Sequence, residues 1–236
     1  MSIFAVADTH LSLFPGADKP MDVFGARWVD HDIRLKKSWE ETVSEEDTVV
    51  IVGDISWGMR LEEARHDLDF IDALPGRKVL LKGNHDLWWS GINRLNQLYD
   101  DMRFLQNDSV VCEGICICGS RGWLTPDSDD FKESDERIYR REILRLEMSL
   151  KEAEAKMKAD PSIEGMIGFL HYPPVTDIRL GSGFHDLFKA FGVKKVYYGH
   201  LHGQEAFRTA LQGEYDGIDY RLVSLDNLNC RLEKVF

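Results

Sequence analysis

What these 236 residues lack narrows the possibilities first. No apolar run is long: Ile3–Ala7 and Val49–Val52 fall far short of the roughly 20 residues that a membrane-crossing helix requires. No charged segment followed by a long apolar stretch opens the chain, so no signal peptide is expected. Cysteine is scarce, with four residues, three of them crowded at 112, 116 and 118. That clustering is not a disulfide framework, and a reducing, cytoplasmic setting is the simplest expectation. The spacing Cys112-x-x-x-Cys116-x-Cys118 lacks the two-residue gap of thiolate metal sites, and Ile115 and Ile117 alternate with the thiols. Buried apolar thiols are expected instead. Positive charge is in deficit, 29 Lys and Arg against 41 Asp and Glu, a net −12. Such a surface repels a polyanion at long range and argues against general duplex nucleic-acid binding. A small or medium phosphorylated substrate stays allowed where cations sit locally. Repeats, low-complexity tracts and Pro/Gly/Ser linkers are absent too, which predicts one domain over 1–236.

What is present is a recurring unit, a short apolar run that ends in a polar cluster. Ile3–Ala7 leads to Asp8-Thr9-His10, Val49–Val52 to Gly53-Asp54, and Val79–Leu81 to Gly83-Asn84-His85-Asp86. Met166–Leu170 leads to His171, and Val193–Tyr198 to Gly199-His200-Leu201-His202. Continuous aliphatic runs of this length suit strands buried on both faces. Helical patterns over Asp32–Val43 and Leu61–Leu74 fill the gaps, the second stopping at Pro75-Gly76. Strands alternating with helices imply parallel neighbours, whose ligands gather beyond the carboxyl ends. Five clusters on strand ends therefore predict one site. Val110–Gly119 reads as a hairpin turning at Glu113-Gly114, and Tyr215–Phe236 as antiparallel strands. Ser134–Lys158 reads as a long charged helix, an insertion around 130–160, with one stripe of Tyr139, Ile143, Leu146, Leu150, Ala153 and Met157. One stripe cannot name its partner: it caps the site, pairs with a second subunit, or covers the sheet.

Asp8, His10, Asp54, Asn84, His171, His200 and His202 offer imidazole and oxygen donors without thiolate, a set that suits Mn, Fe, Zn or Ni. They are too many for one tetrahedral ion and about right for two that share a carboxylate. Gly53, Gly83 and Gly199 stand before ligands, where the backbone must turn sharply or approach closely. Five of the eight histidines lie at strand ends, while His31, His66 and His185 read as structural or solvated. Arg121 is either a bidentate phosphate contact or an ordinary surface arginine. Trp57, Trp88, Trp89 and Trp123 either stack on a flat substrate group or pack beneath the loops. Tyr172-Pro173-Pro174 is expected to fix the loop after His171.

In order along the chain, Asp8-Thr9-His10, Gly53-Asp54, Gly83-Asn84-His85-Asp86, His171 and Gly199-His200-Leu201-His202 resemble the five signatures of the calcineurin-like metallophosphoesterases. The match spans positions 8 to 202. The resemblance implies an α/β fold, a four-layer αββα sandwich with two mixed sheets. It implies one divalent ion held by Asp8, His10, Asp54 and His202, and a second by Asp54, Asn84, His171 and His200, with Asp54 bridging. Manganese is the first expectation, with iron, zinc or nickel as alternatives. The implied reaction is hydrolysis of a phosphate mono- or diester by in-line attack of a hydroxide between the ions. His85 would contact the phosphate and protonate the leaving oxygen, with Asp86 orienting it. Asn84, Arg121 and Trp57 are the expected substrate contacts. The segment Lys19–Gly25 and the Trp88-Trp89 pair look like those of bacterial cytosolic members. One departure stands out. The second signature usually continues Gly-Asp-x-x-Asp, and here Trp57 takes the place of the last acid. That acid is not generally a ligand in the family, so the metal set is complete, but assignment to the protein Ser/Thr phosphatases is weakened. A competing class is a non-catalytic scaffold of the same fold that binds protein partners. A third reading, ranked last, assigns redox chemistry to the same metals.

Overall fold

The computed structural model describes residues 1–175 and 181–236. Along the chain run β1 (Ile3–Val6), α1 (His31–Thr42), β2 (Thr48–Val52), α2 (Leu61–Asp72), β3 (Arg77–Leu81), α3 (Ile92–Leu95) and β4 (Met102–Phe104). The hairpin β5 (Ser109–Cys112) and β6 (Ile115–Ser120) precedes α4 (Glu133–Ala159). Then come β7 (Gly165–Leu170), α5 (Gly183–Ala190), β8 (Lys195–Tyr198), α6 (Gly203–Thr209), β9 (Gly213–Tyr215), β10 (Ile218–Leu222) and β11 (Glu233–Lys234). One sheet has the order β11-β1-β2-β3-β4 and the other β5-β6-β7-β8-β10-β9.

Side-chain alternation builds four layers from these strands. Ala5 of β1 and Val50 and Val52 of β2 point between the sheets, onto Ile117, Phe169 and Tyr197. Their neighbours Phe4, Val6, Val49 and Ile51 point the other way, onto Leu35 and Trp39 of α1 and Leu68 and Ile71 of α2. In the second sheet Cys116, Cys118, Val196 and Tyr198 face Leu146, Leu150 and Ala153 of α4 and Phe188 of α5. The result is the αββα sandwich with two mixed sheets. The strands β1, β2, β3 and β4 are mutually parallel, as are β6, β7 and β8. Their carboxyl ends therefore open on one side.

The hairpin turns at Glu113-Gly114 as expected, both with positive φ, which a two-residue hairpin turn demands. The C-terminal stretch is less regular than its alternation implies. Asp216-Gly217 closes the antiparallel pair β9–β10, but β10 runs parallel to β8, and β11 crosses to the first sheet beside β1. The backbone forces this crossing: Val223 N–H donates to Tyr198 in one sheet and Leu225 N–H donates to Ala7 in the other. The three clustered thiols and Cys230 are free and buried. Among the described residues no helix is long and apolar enough to cross a membrane.

Of the readings open for the stripe on α4, the structure shows it covering the second sheet. Two polar side chains share that buried face. Ser149 accepts from Gly119 N–H (3.0 Å) and donates to the Asp108 carbonyl (2.6 Å). Glu142 is fully buried, and its Oε1 meets Arg145 at 3.0 Å, Arg121 at 3.3 Å and Arg141 at 3.4 Å. Removing a buried partner strands the charge it held. Glu142→Ala is therefore expected to cost about 3 kcal/mol of unfolding free energy in denaturant melts. Glu147→Ala, which loses a partly exposed i,i+4 pair with Lys151, should cost under about 0.5 kcal/mol. Equal costs would show that Glu142 does not tie α4 down.

Candidate metal centre

Each strand end delivers its polar cluster through a backbone turn that few side chains tolerate. Asp8, His10, Asp54 and His200 all have positive φ, between 43° and 71°. Asp and His enter this region more readily than β-branched or bulky residues, and strain of this kind concentrates at functional sites. Hydrogen bonds stitch the loops together: Asp8 N–H donates to Gly53, His10 N–H to Asp54, and Gly199 N–H to His171. The glycines are required by close approach. A Cβ on Gly199 would lie 2.7 Å from Asp8 Oδ2, one on Gly53 would lie 2.7 Å from His171 Nδ1, and one on Gly83 would overlap Asp54.

The turns bring the expected ligands together as two groups. Asp8, His10 and His202 form one, and Asp54, His171 and His200 the other, each with donor atoms within 4.8 Å of one another. Asp54 lies between them, its Oδ2 3.3 Å from His171 Nε2 and 3.8 Å from His10 Nε2. Asn84 joins the second group, with Oδ1 2.8 Å from His171 Nε2. Carbonyl and carboxylate partners orient the rings. His171 Nδ1 sits 3.0 Å from the Val52 carbonyl, which can only accept, so Nδ1 carries the proton and Nε2 faces the site. Asp226 does the same for His202, 3.0 Å from Nδ1, leaving Nε2 3.6 Å from Asp8.

Electrostatics fit the same use. Burial holds His10 down to about 4, and burial with the neighbouring His171 holds His200 down to about 3, so both are neutral donors at pH 7. Burial works against charge on His171 as well, but Asp54 and Asp8 override it and push His171 up to about 9. Asp8 and Asp226 likewise override burial and push His202 up to about 10. The carboxyls of Asp8 and Asp54 are held below the usual range by these imidazoles despite their burial. Two buried carboxylates thus draw positive charge onto the ring nitrogens that point at them. Divalent cations would supply that charge instead. The donor set tests the fit directly: His10 and His200 are buried neutral imidazoles, and among the described residues the ion pairs of Asp8 and Asp54 are all with histidines, with no lysine or arginine to neutralise these buried carboxylates. The residues fit a pair of divalent ions.

A cavity of about 500 Å³ opens beside the ligands, with His85 and Trp57 on its wall. The His85 side chain is exposed there, and its backbone N–H donates to Asp54 Oδ1 at 2.7 Å. Asp86 requires a correction. Its carboxylate does not reach the His85 ring as a partner. It accepts from Gly83 N–H (2.7 Å), Ile55 N–H (2.9 Å), Ser56 N–H (3.3 Å) and Trp88 Nε1 (3.1 Å). Asp86 therefore pins the loop after β2 to the loop after β3, and burial with the Asp54 charge pushes it up to about 6. Arg121 requires another. It is neither a surface arginine nor a wall of the cavity; its guanidinium pairs with Glu142 and lies 4.3 Å from the Trp123 ring centroid. Its backbone carbonyl accepts from both His171 and Tyr172, so Arg121 shapes the ligand loop through its main chain.

Trp88 and Trp89 pack on Phe104 in the core. His31 is buried with its ring against Trp28, His185 is buried beside the Tyr220 hydroxyl, and His66 is exposed. All described peptide bonds are trans, those of Tyr172-Pro173-Pro174 included. The residue that sequence reading missed is Asp226. Its signal was there: Leu222-Val223 ends in Ser224-Leu225-Asp226-Asn227, the same apolar run into a polar cluster.

Comparison with known proteins agrees with this geometry. The calcineurin-like phosphoesterase family model matches residues 1–204. The Gene 66 protein of Mycobacterium phage L5 is 47% identical over 57 residues, 24% of this chain and 27% of that protein. That of Mycobacterium phage D29 is 43% identical over 76 residues, 30% of this chain and 36% of that one. The chain thus aligns with about a third or less of those relatives' length. Among solved structures, phosphopantetheinyl hydrolase from Mycobacterium tuberculosis has a TM-score of 0.56 at 14% identity, covering 100% of this chain and 95% of that one. A protein from Thermus thermophilus has a TM-score of 0.54 at 12% identity, covering 99% and 97%. A protein of unknown function from Aquifex aeolicus has 0.52 at 14%, covering 99% and 95%. At these identities the structural likeness speaks for the fold, while the family match extends over all five strand-end clusters: the chain belongs to the calcineurin-like phosphoesterases.

Proposed function

We propose that this chain hydrolyses a phosphate mono- or diester of a small or medium molecule with two divalent transition-metal ions, manganese first among them. The observation that carries this reading is the convergence of two donor groups across Asp54. Asp8, His10 and His202 would hold one ion and His171, His200 and Asn84 the other, with Asp54 shared. When bound, such ions neutralise charge on the phosphoryl oxygens and bring the pKa of water close to neutrality.

The chain's own residues do the remaining work. His85 gives its proton to the alcohol oxygen as the phosphorus–oxygen bond to that alcohol breaks, and recovers a proton from water afterwards. Its hydrogen bond to Asp54 holds this acid beside the shared carboxylate. Asp226 and the Val52 carbonyl keep the His202 and His171 rings turned to the site, and Asp86 keeps the two central loops in register. The buried free thiols suit a reducing compartment, so the proposed location is the cytoplasm.

Chelation tests the reading. Dialysis against EDTA is expected to abolish hydrolysis of p-nitrophenyl phosphate and bis-p-nitrophenyl phosphate, and added manganese to restore at least one of them. Hydrolysis that persists in metal-free protein would refute the role of the donor groups.

A further inference from the structure

We infer that the cavity beside the metal ligands receives the leaving alcohol, and that this alcohol carries an apolar group and no negative charge. This rests on the hydrolytic reading above and deepens it. The cavity lining is of two kinds that touch each other. His10, Asp54, His85, His200 and His202 are polar, and Met21, Phe24, Trp28 and Trp57 make a largely apolar wall, with Trp57 stacked on His10 and Trp28 edge-on to His202. The polar residues are where a phosphoryl group belongs, and the apolar wall is where it does not.

The apolar wall lies on the leaving-group side. The Trp57 ring centroid is 4.6 Å from that of His85, the residue that protonates the departing oxygen. Trp57 is held there by stacking on His10 at 4.7 Å, and its indole N–H is spent on Met21 Sδ at 3.2 Å. What Trp57 presents to the cavity is therefore carbon. An anionic alcohol finds nothing to pair with. No lysine or arginine lines the cavity among the described residues, and Asp226 is committed to His202 and Gly203. Lys19 stands 5.5 Å from the Trp57 ring, and Arg27 is spent on the Asp226 carbonyl at 2.7 Å; neither lines the cavity. A second phosphate or a carboxylate on the alcohol would meet no lysine or arginine on this wall among the described residues.

The mouth continues the pattern. Phe24 is 69% exposed and Val23 70%, an uncommon state for large apolar side chains side by side at a ligand cavity. Met59 and Leu87 are exposed on the loops that carry Trp57 and His85. An apolar group leaving the cavity would cover Phe24.

The test uses phosphate monoesters of primary alcohols, whose leaving oxygens differ little in intrinsic reactivity. With the manganese-loaded protein, hexyl and 2-phenylethyl phosphate are expected to exceed ethyl phosphate in kcat/KM by about tenfold or more. The 5-carboxypentyl ester should gain nothing over the ethyl one. A flat group is identified if the phenylethyl ester leads, a flexible chain if the hexyl ester leads. Phe24→Ser, at an exposed position that folding does not depend on, should erase most of the hexyl-to-ethyl ratio, and Trp57→Ala should do the same. A parallel arm needs no turnover: calorimetric titration with hexylphosphonate and ethylphosphonate, which cannot be hydrolysed. Tighter binding of hexylphosphonate, lost in Phe24→Ser, without turnover of any of these monoesters or of bis-p-nitrophenyl phosphate would keep the subsite and refute the hydrolytic reading. Equal kcat/KM along the series together with equal phosphonate binding would overturn the subsite.

Discussion

Asp54→Ala is expected to lower phosphoester hydrolysis by roughly a thousandfold or more and to reduce bound metal below two ions per chain. The argument is geometric. Asp54 faces both donor groups, with His10 on one side and His171 on the other. Its loss leaves each group with fewer donors and removes the negative charge that both cations share. It also frees the His85 backbone, whose N–H donates to Asp54 Oδ1. The substitution therefore acts on metal, acid and loop at once. Inductively coupled plasma mass spectrometry and steady-state kinetics on the same preparation check it. Two bound ions with unchanged turnover would contradict the shared-carboxylate role. Circular dichroism on the same sample separates this outcome from misfolding.

His85→Ala should lower kcat by roughly 100- to 10,000-fold on alkyl phosphates, the range that a positioned general acid contributes. The loss should be far smaller on p-nitrophenyl phosphate, because p-nitrophenolate leaves without a proton. Metal content should stay at the wild-type value, since His85 is absent from both donor groups. A loss of equal size on both substrates would assign His85 to holding the phosphate rather than to proton transfer.

The strand-end clusters made the metal centre legible in the sequence for a physical reason. A strand buried on both faces must be a continuous aliphatic run, and the first polar residue after it lies at the sheet's edge. Asp8, Asp54, His171 and His200 all follow that rule, so composition along the chain maps onto position in space. The hairpin at Glu113-Gly114 was legible because that turn requires positive φ. Asp226 went unread because β10 looks like one arm of a surface hairpin; its parallel pairing with β8, which aims its end at the site, is a long-range fact. The Asp86 role escaped for a related reason. Adjacent to His85 in sequence, it points instead at the loop after β2, 30 residues earlier in the chain. Arg121 was ambiguous because a guanidinium's partner is set by α4, whose docking on the second sheet a one-stripe helix does not announce.

Anomalous diffraction from crystals soaked in manganese tests the central claim most directly. Two peaks are predicted, one among Asp8, His10 and His202 and one among Asn84, His171 and His200, with an Asp54 oxygen within roughly 2.5 Å of each. A single peak, or peaks that Asp54 does not touch, would contradict it.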